Sequence, residues 1–157
     1  LQAEGFVKFF LDENVSVGCL KPLEALYGEH EFRHAYKEGL GGTKDVPLLG
    51  MLSQQGYDAI ITKDRTQLRD DEERRAIFDA GLHWIGYAAK GVKGLRGLAT
   101  ETATLTVGLV YVLADLRPEP HVYKLKGVGI QPAQHVAVSP VGLPGWGRPR
   151  RHGLGLA

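Results

Sequence analysis

Residues 6–11, FVKFFL, carry apolar or aromatic side chains on both faces and run straight into Asp12, Glu13 and Asn14. Six residues are too few for an ordinary helix, and a strand apolar on both faces must be covered on both faces. That requirement narrows the fold to a sheet sandwiched between helices. Further apolar stretches at 57–62 (YDAIIT) and 82–88 (LHWIGYA) read the same way, with a weaker strand at 31–35 (EFRHA).

Helical spacing fills the intervals. Leu20, Leu23, Leu26 and Tyr27 recur through 16–28, with Ser16 as cap and Gly28 as stop. Pro47 in a first turn, followed by Leu48, Leu49 and Leu52, predicts a helix over 45–56. The acids of 70–73 open a helix to Ala80, their charge favoured by its dipole. Val92 to Val112 predict a long amphipathic helix, with a weak point at Gly108. HVYKL and QHVAVS, beyond Pro118, read as a closing pair of edge strands. Strands alternating with helices predict a three-layer α/β/α domain with a mainly parallel central sheet over residues 5–138. Residues 139–157, rich in Gly, Pro and Arg, read as a flexible basic tail.

In such a sheet the chemistry collects at the carboxyl ends of the strands. Asp12 and Asp64 each follow a strand, and Asp45 starts the helix that feeds the strand before Asp64. That helix and strand run antiparallel, so all three carboxylates fall on one rim. Each has an ordinary alternative: Asp12 or Asp45 as a helix cap, Asp64 as an Asx turn. Together they repel unless a cation holds them, and an all-oxygen set suits Mg²⁺ or Mn²⁺ better than zinc.

Charge is divided along the chain. Residues 1–87 hold 10 Lys/Arg against 15 Asp/Glu, and residues 88–157 hold 9 against 3. An acidic centre beside a basic surface suits a polyanion held near metal ions. A single cysteine, Cys19, excludes an internal disulfide and a Cys-based zinc cluster, and fits a cytoplasmic protein. No apolar run approaches the ~20 residues of a membrane span, so no membrane partner is expected. His30 and His34 are four apart on a strand and loop, but no third ligand is evident, so a metal-binding pair is set aside.

The order of these acids resembles the PIN-domain nucleases, above all the compact PIN-like (VapC-type) toxins of prokaryotic toxin–antitoxin pairs. An acid ends the first strand; a second opens the helix of DVPLLGMLSQQGYDAIITKD; the following strand ends T-x-D, here Thr62-Lys63-Asp64. The resemblance covers residues 6–87. It implies a metal-dependent endoribonuclease in which Asp12, Asp45 and Asp64 hold Mg²⁺ or Mn²⁺, activating a water and neutralising charge on the transition state. Glu13 or Asn14 would orient that water and Thr62 would fix Asp64. Arg65, Lys90, Lys93 and Arg96 are the candidate RNA contacts, joined by the tail arginines. RNA and a cognate antitoxin are the implied partners, with a homodimer left open. Two features depart from the pattern. The fourth acid of the family has no clear counterpart, only Glu13, Glu24 or Glu38, and the aromatic residue three places after T-x-D is Gln67. The competing readings are a degenerate PIN-like module that binds RNA or protein without cutting, and a receiver-type phospho-acceptor domain.

Overall fold

The computed structural model describes residues 5–88 and 91–144. Among them five strands form one sheet: β1 (Lys8–Leu11), β2 (Glu31–His34), β3 (Ala59–Thr62), β4 (His83–Gly86) and β5 (Val122–Lys124). Their order is β2-β1-β3-β4-β5, and every neighbouring pair is parallel. Four α-helices fill the crossovers: α1 (Leu20–Leu26), α2 (Asp45–Gln54), α3 (Asp71–Asp79) and α4 (Gly94–Asp115).

Period-2 alternation in the strands builds two separate cores. Phe9, Leu11, Ala59, Ile61 and Ile85 point to one face and pack with Leu20 and Leu23 of α1 and Leu105, Leu109 and Val112 of α4. Phe10, Ile60 and Trp84 point to the other, against Leu48, Leu49 and Leu52 of α2 and Ile77 of α3. The expected α/β/α sandwich is therefore present, with a sheet that is wholly parallel. Phe9 and Phe32 stack across β1 and β2 with centroids 4.8 Å apart. His34 is buried in this framework: Tyr36 N–H donates to its Nδ1, so its Nε2–H donates to the Val15 carbonyl at 2.6 Å. His30 Nδ1 accepts from Val7 N–H, so neither histidine is left facing a ligand through those atoms.

Three sequence expectations change. HVYKL supplies β5, but QHVAVS adds no strand; a 3₁₀ turn at Pro132–Gln134 occupies its approach. The segment after β5 lies along α4 instead, where Val128 N–H donates to Thr104 Oγ1 at 3.2 Å and the Arg96 guanidinium donates to the Ile130 carbonyl. Gly108 is not a weak point. α4 runs through it unbroken, and a Cβ there would meet Leu125 Cδ2 at 2.8 Å, so this glycine admits the returning chain. Finally, α4 is long and apolar enough to cross a membrane by length and composition. Here Leu105, Leu109 and Val112 bind it to the sheet, while Val107, Val110 and Tyr111 face outward.

The order β2-β1-β3 reverses direction between β1 and β3, and the crevice at such a switch is where doubly wound sheets bind ligands. Asp12 follows β1 directly, and Asp64 lies two residues beyond β3. The strand order is common to many chemistries, so only the side chains at this crevice can decide among them.

Candidate acidic centre at the sheet switch point

Asp12 is pinned from both oxygens. Its backbone N–H extends the sheet to Ile61 O at 2.9 Å, Oδ1 accepts from Glu13 N–H at 2.8 Å, and Oδ2 accepts from Thr62 Oγ1 at 2.8 Å. The side chain is 5 % exposed. Burial pushes its carboxyl up; the bonds from Thr62 and Glu13 oppose this, and the charges of Asp45 and Glu13 reinforce it.

Asn14 and Thr62 tie β1 to the turn after β3. Lys63 N–H donates to Asn14 Oδ1 at 2.9 Å, Asn14 Nδ2 donates to Thr62 Oγ1 at 3.1 Å, and Asp64 N–H donates to the same hydroxyl at 3.0 Å. Thr62 thus holds Asp12 through its side chain and Asp64 through its backbone. Asp64 caps the following 3₁₀ turn (Arg65–Leu68), its Oδ1 accepting from Thr66 N–H at 2.9 Å. Capping employs one oxygen, and Oδ2 receives no hydrogen bond among the described residues.

Asp45 opens α2, one position beyond the cap residue Lys44. Gln67 Nε2 donates to Asp45 Oδ1 at 3.3 Å, and Gln67 Oε1 accepts from Trp84 Nε1 at 3.1 Å. The residue standing where the resemblance expects an aromatic is therefore a buried amide that couples an acid to the core. Glu13 faces outward along the rim and accepts from Gly42 N–H at 2.7 Å.

Neither of the other two sequence candidates for a fourth acid, Glu24 and Glu38, approaches this centre through its contacts. Glu24 is exposed on α1, and Glu38 pairs with Arg33 at 3.5 Å. The structure brings in Glu73 instead. Asp70 caps α3 by accepting from Glu73 N–H, but Asp70 N–H already donates to Thr66 O at 3.1 Å. The reciprocal half of a capping box is thus taken, and the Glu73 carboxylate turns elsewhere. Its Oε2 is sealed from solvent and has no hydrogen-bond partner, the one such side-chain atom among the described residues. Burial, then the charges of Asp45, Asp70 and Asp64, push this carboxyl above the usual range. The neighbour close enough to share a hydrogen is the Asp45 carboxylate, which bonds Glu73 only when one of the two is protonated.

Asp12, Asp45, Asp64 and Glu73 therefore form one electrostatic group, linked by the pairs Asp12–Asp45, Asp45–Glu73 and Asp64–Glu73. Among the described residues no three Asp, Glu, His or Cys side chains are gathered as ready metal ligands. The donor chemistry nonetheless fits a hard divalent cation: every candidate is a carboxylate, and one carboxylate oxygen is buried without any donor.

Of the expected RNA contacts, Arg65 and Lys93 are exposed, Arg65 beside Asp64 and Lys93 at the start of α4. Arg65 forms no ion pair with Asp70 or Asp71 among the described residues. Arg96 straps the segment at Ile130, and Lys90 and the tail arginines lie outside the described residues.

Behind the acids, Glu101 of α4 fastens the rim. Its Oε2 accepts from Tyr87 Oη at 2.8 Å and pairs with Lys63 Nζ at 3.2 Å. Burial alone would raise this carboxyl; the bonds from Ser16 and Tyr87 and the Lys63 ammonium outweigh it and hold it below its ordinary value of 4.5. A carboxyl depressed by folding adds stability that is complete above its unfolded value and lost as pH falls through the folded one. Urea midpoints should therefore drop below about pH 4.5 more steeply for the wild type than for Glu101→Gln, with the two curves running parallel at pH 6 and above.

No curated protein and no solved structure matches the chain. A family model described as PIN-like domain matches residues 7–89, from β1 through β4, and takes in Asp12, Asp45, Asp64 and Glu73. With more than half its length so matched, and with acids at the switch point of a parallel sheet, the chain belongs to the PIN-like domain family and has a nuclease-type fold.

Proposed function

We propose that the protein is a Mg²⁺- or Mn²⁺-dependent endoribonuclease and the toxin of a toxin–antitoxin pair. The observation that carries this reading is the orphaned Oε2 of Glu73, on a carboxyl that lies within hydrogen-bonding reach of Asp45 and in the field of Asp64. A protein gains nothing in stability from a buried carboxylate oxygen with no donor, whereas a cation uses it directly. Asp45, Asp64 and Glu73 are the residues that would hold the ion, with Asp12 completing the set.

When bound, the divalent cation supplies Lewis-acid stabilisation of the phosphoryl oxygens and lowers the pKa of water. The chain's own work is positional. Thr62 fixes the Asp12 rotamer and the Asp64 backbone together, so two acids on different strands keep one spacing. Gln67 steers Asp45, and Asn14 closes the turn beneath Lys63. Glu13, at the exposed edge of the crevice, would orient a water arriving with the RNA. An antitoxin segment would occupy this crevice with a basic side chain among the carboxylates, and the adjoining reading frame should encode such a partner.

RNA cleavage with Mg²⁺ or Mn²⁺ tests the activity, and calorimetry with Mn²⁺ tests the site. Glu73→Gln should weaken Mn²⁺ binding at least about tenfold. Its amide offers Asp45 the missing donor, so the metal-free variant should also be more stable, by about 1 kcal/mol. Weaker metal binding together with lower stability would point to damage to the fold rather than to a lost ligand.

The second reading, a module that binds RNA or protein without cutting it, is favoured by the absence of three gathered ligands among the described residues. Calorimetry separates the two, since a module without ion binding cannot run this chemistry.

A further inference from the structure

Next to the acidic centre, on the same rim, lies a cavity of opposite charge. Arg65, Arg69 and Lys124 line a space of about 240 Å³ together with Leu68, Trp84 and Tyr87. No acid lines it. Two of the cations stand at the start and end of the turn after β3, and the third is the last residue of β5. None has an ion-pair or side-chain hydrogen-bond partner among the described residues, although Asp70 to Glu73 follow Arg69 immediately. All three border one concave space.

The wall of the cavity is rigid. Trp84 is 1 % exposed, held by Gln67 through its Nε1–H, and Gly86 lies under its ring with no room for a Cβ, which would meet Cη2 at 2.0 Å. Gln67 also holds Asp45, so one amide sets the position of both the acidic centre and the cavity wall.

We infer that this cavity is a phosphate subsite that grips the RNA backbone beside the scissile bond. The inference rests on the ribonuclease reading, since a strand whose scissile phosphate faces Asp45, Asp64 and Glu73 carries its next phosphates past the residue that follows Asp64. Guanidinium groups from Arg65 and Arg69 match phosphate oxygens in pairs, and Lys124 adds a point charge from the far side. The rim then alternates in the way a polyanion substrate requires: carboxylates where a cation mediates, and bare cations where the backbone is held directly.

The test is binding of a single-stranded 12-nucleotide RNA in EDTA, which stops metal-assisted cleavage, read as log K against log salt. Arg65→Gln/Lys124→Gln should make the slope shallower by about 1.4 and weaken binding about tenfold at low salt. Lys21→Gln/Arg75→Gln removes the same charge from α1 and α3 and should leave the slope unchanged. Equal losses in both pairs, or in neither, overturn the subsite. A polyglutamate peptide that loses affinity in the first pair as the RNA does would make the cavity a dock for acidic protein and overturn it too. Wild-type cleavage with an unaltered slope sinks the subsite alone. Absent cleavage with the slope loss intact sinks the nuclease reading and leaves an RNA-binding site.

Discussion

Asp12→Asn and Asp64→Asn should each lower RNA cleavage by about a thousandfold or more, because each removes charge that would hold a divalent cation, whose Lewis-acid stabilisation is worth several kcal/mol. The same substitutions separate function from folding. Asn at position 12 keeps an oxygen to accept from Glu13 N–H, but the Thr62 hydroxyl, which already accepts from Asn14 Nδ2 and Asp64 N–H, loses the oxygen to which it donates and can turn only to Asn14 Oδ1. It also removes a buried charge whose carboxyl is already pushed up by burial and by Asp45. The lost bond and the relieved charge oppose each other, so the thermal midpoint of Asp12→Asn should stay within about 5 °C of the wild type while cleavage is lost. At Asp64 the cap to Thr66 N–H also survives as an amide oxygen, with a loss of a few tenths of a kcal/mol on the scale of cap exchanges. Cleavage that persists in both variants would remove these residues from the reaction. Loss of activity accompanied by unfolding would show that the variants report on the scaffold.

The largest stability effect belongs to Trp84. Trp84→Ala empties the centre of the core between β4, α2 and α3 and should destabilise the domain by about 3–5 kcal/mol in urea titrations. That is a large share of the 5–15 kcal/mol typical of a folded domain. Trp84→Phe is the more informative change. Most of the apolar area stays, but Gln67 Oε1 is left buried without its donor, at about 1–3 kcal/mol. Gln67 is then free to turn, and Asp45 loses the bond that orients it. Cleavage by Trp84→Phe should fall about tenfold with the fold intact, the size expected when a residue supporting a ligand is disturbed. Unchanged cleavage in a folded Trp84→Phe would mean that the chain Trp84–Gln67–Asp45 carries no orientation to the site.

Both predictions depend on the two-faced packing that FVKFFL already implies. Phe9 and Phe10 demand opposite cores, and nothing but a covered sheet provides them. The helix starts were legible because Pro47, Asp70 and the leucine spacing act locally. Of the two edge strands expected after Pro118 only one forms, because HVYKL and QHVAVS have similar local preference while β4 offers one free edge, taken in parallel register by the segment that α4 delivers first.

The acids divide along the same line. Asp12, Asp45 and Asp64 could be placed on one rim from sequence, since strand ends and helix starts determine which end of a parallel sheet a residue occupies. Glu73 could not. In DDEER it is one of four acids favoured by a helix dipole, and only the competing bond from Asp70 N–H to Thr66 O releases its carboxylate toward Asp45. Gln67 likewise reads as a departure from a pattern until Trp84, 17 residues on, supplies the donor that fixes its amide. Periodicity and local stops suffice for the layers, the direction of the strands and the rim on which chemistry can occur, because each is set by residues near one another in the chain. The tertiary structure alone decided which carboxylate oxygen is left without a donor and which cations are left without a partner, because both depend on contacts between segments far apart in the chain.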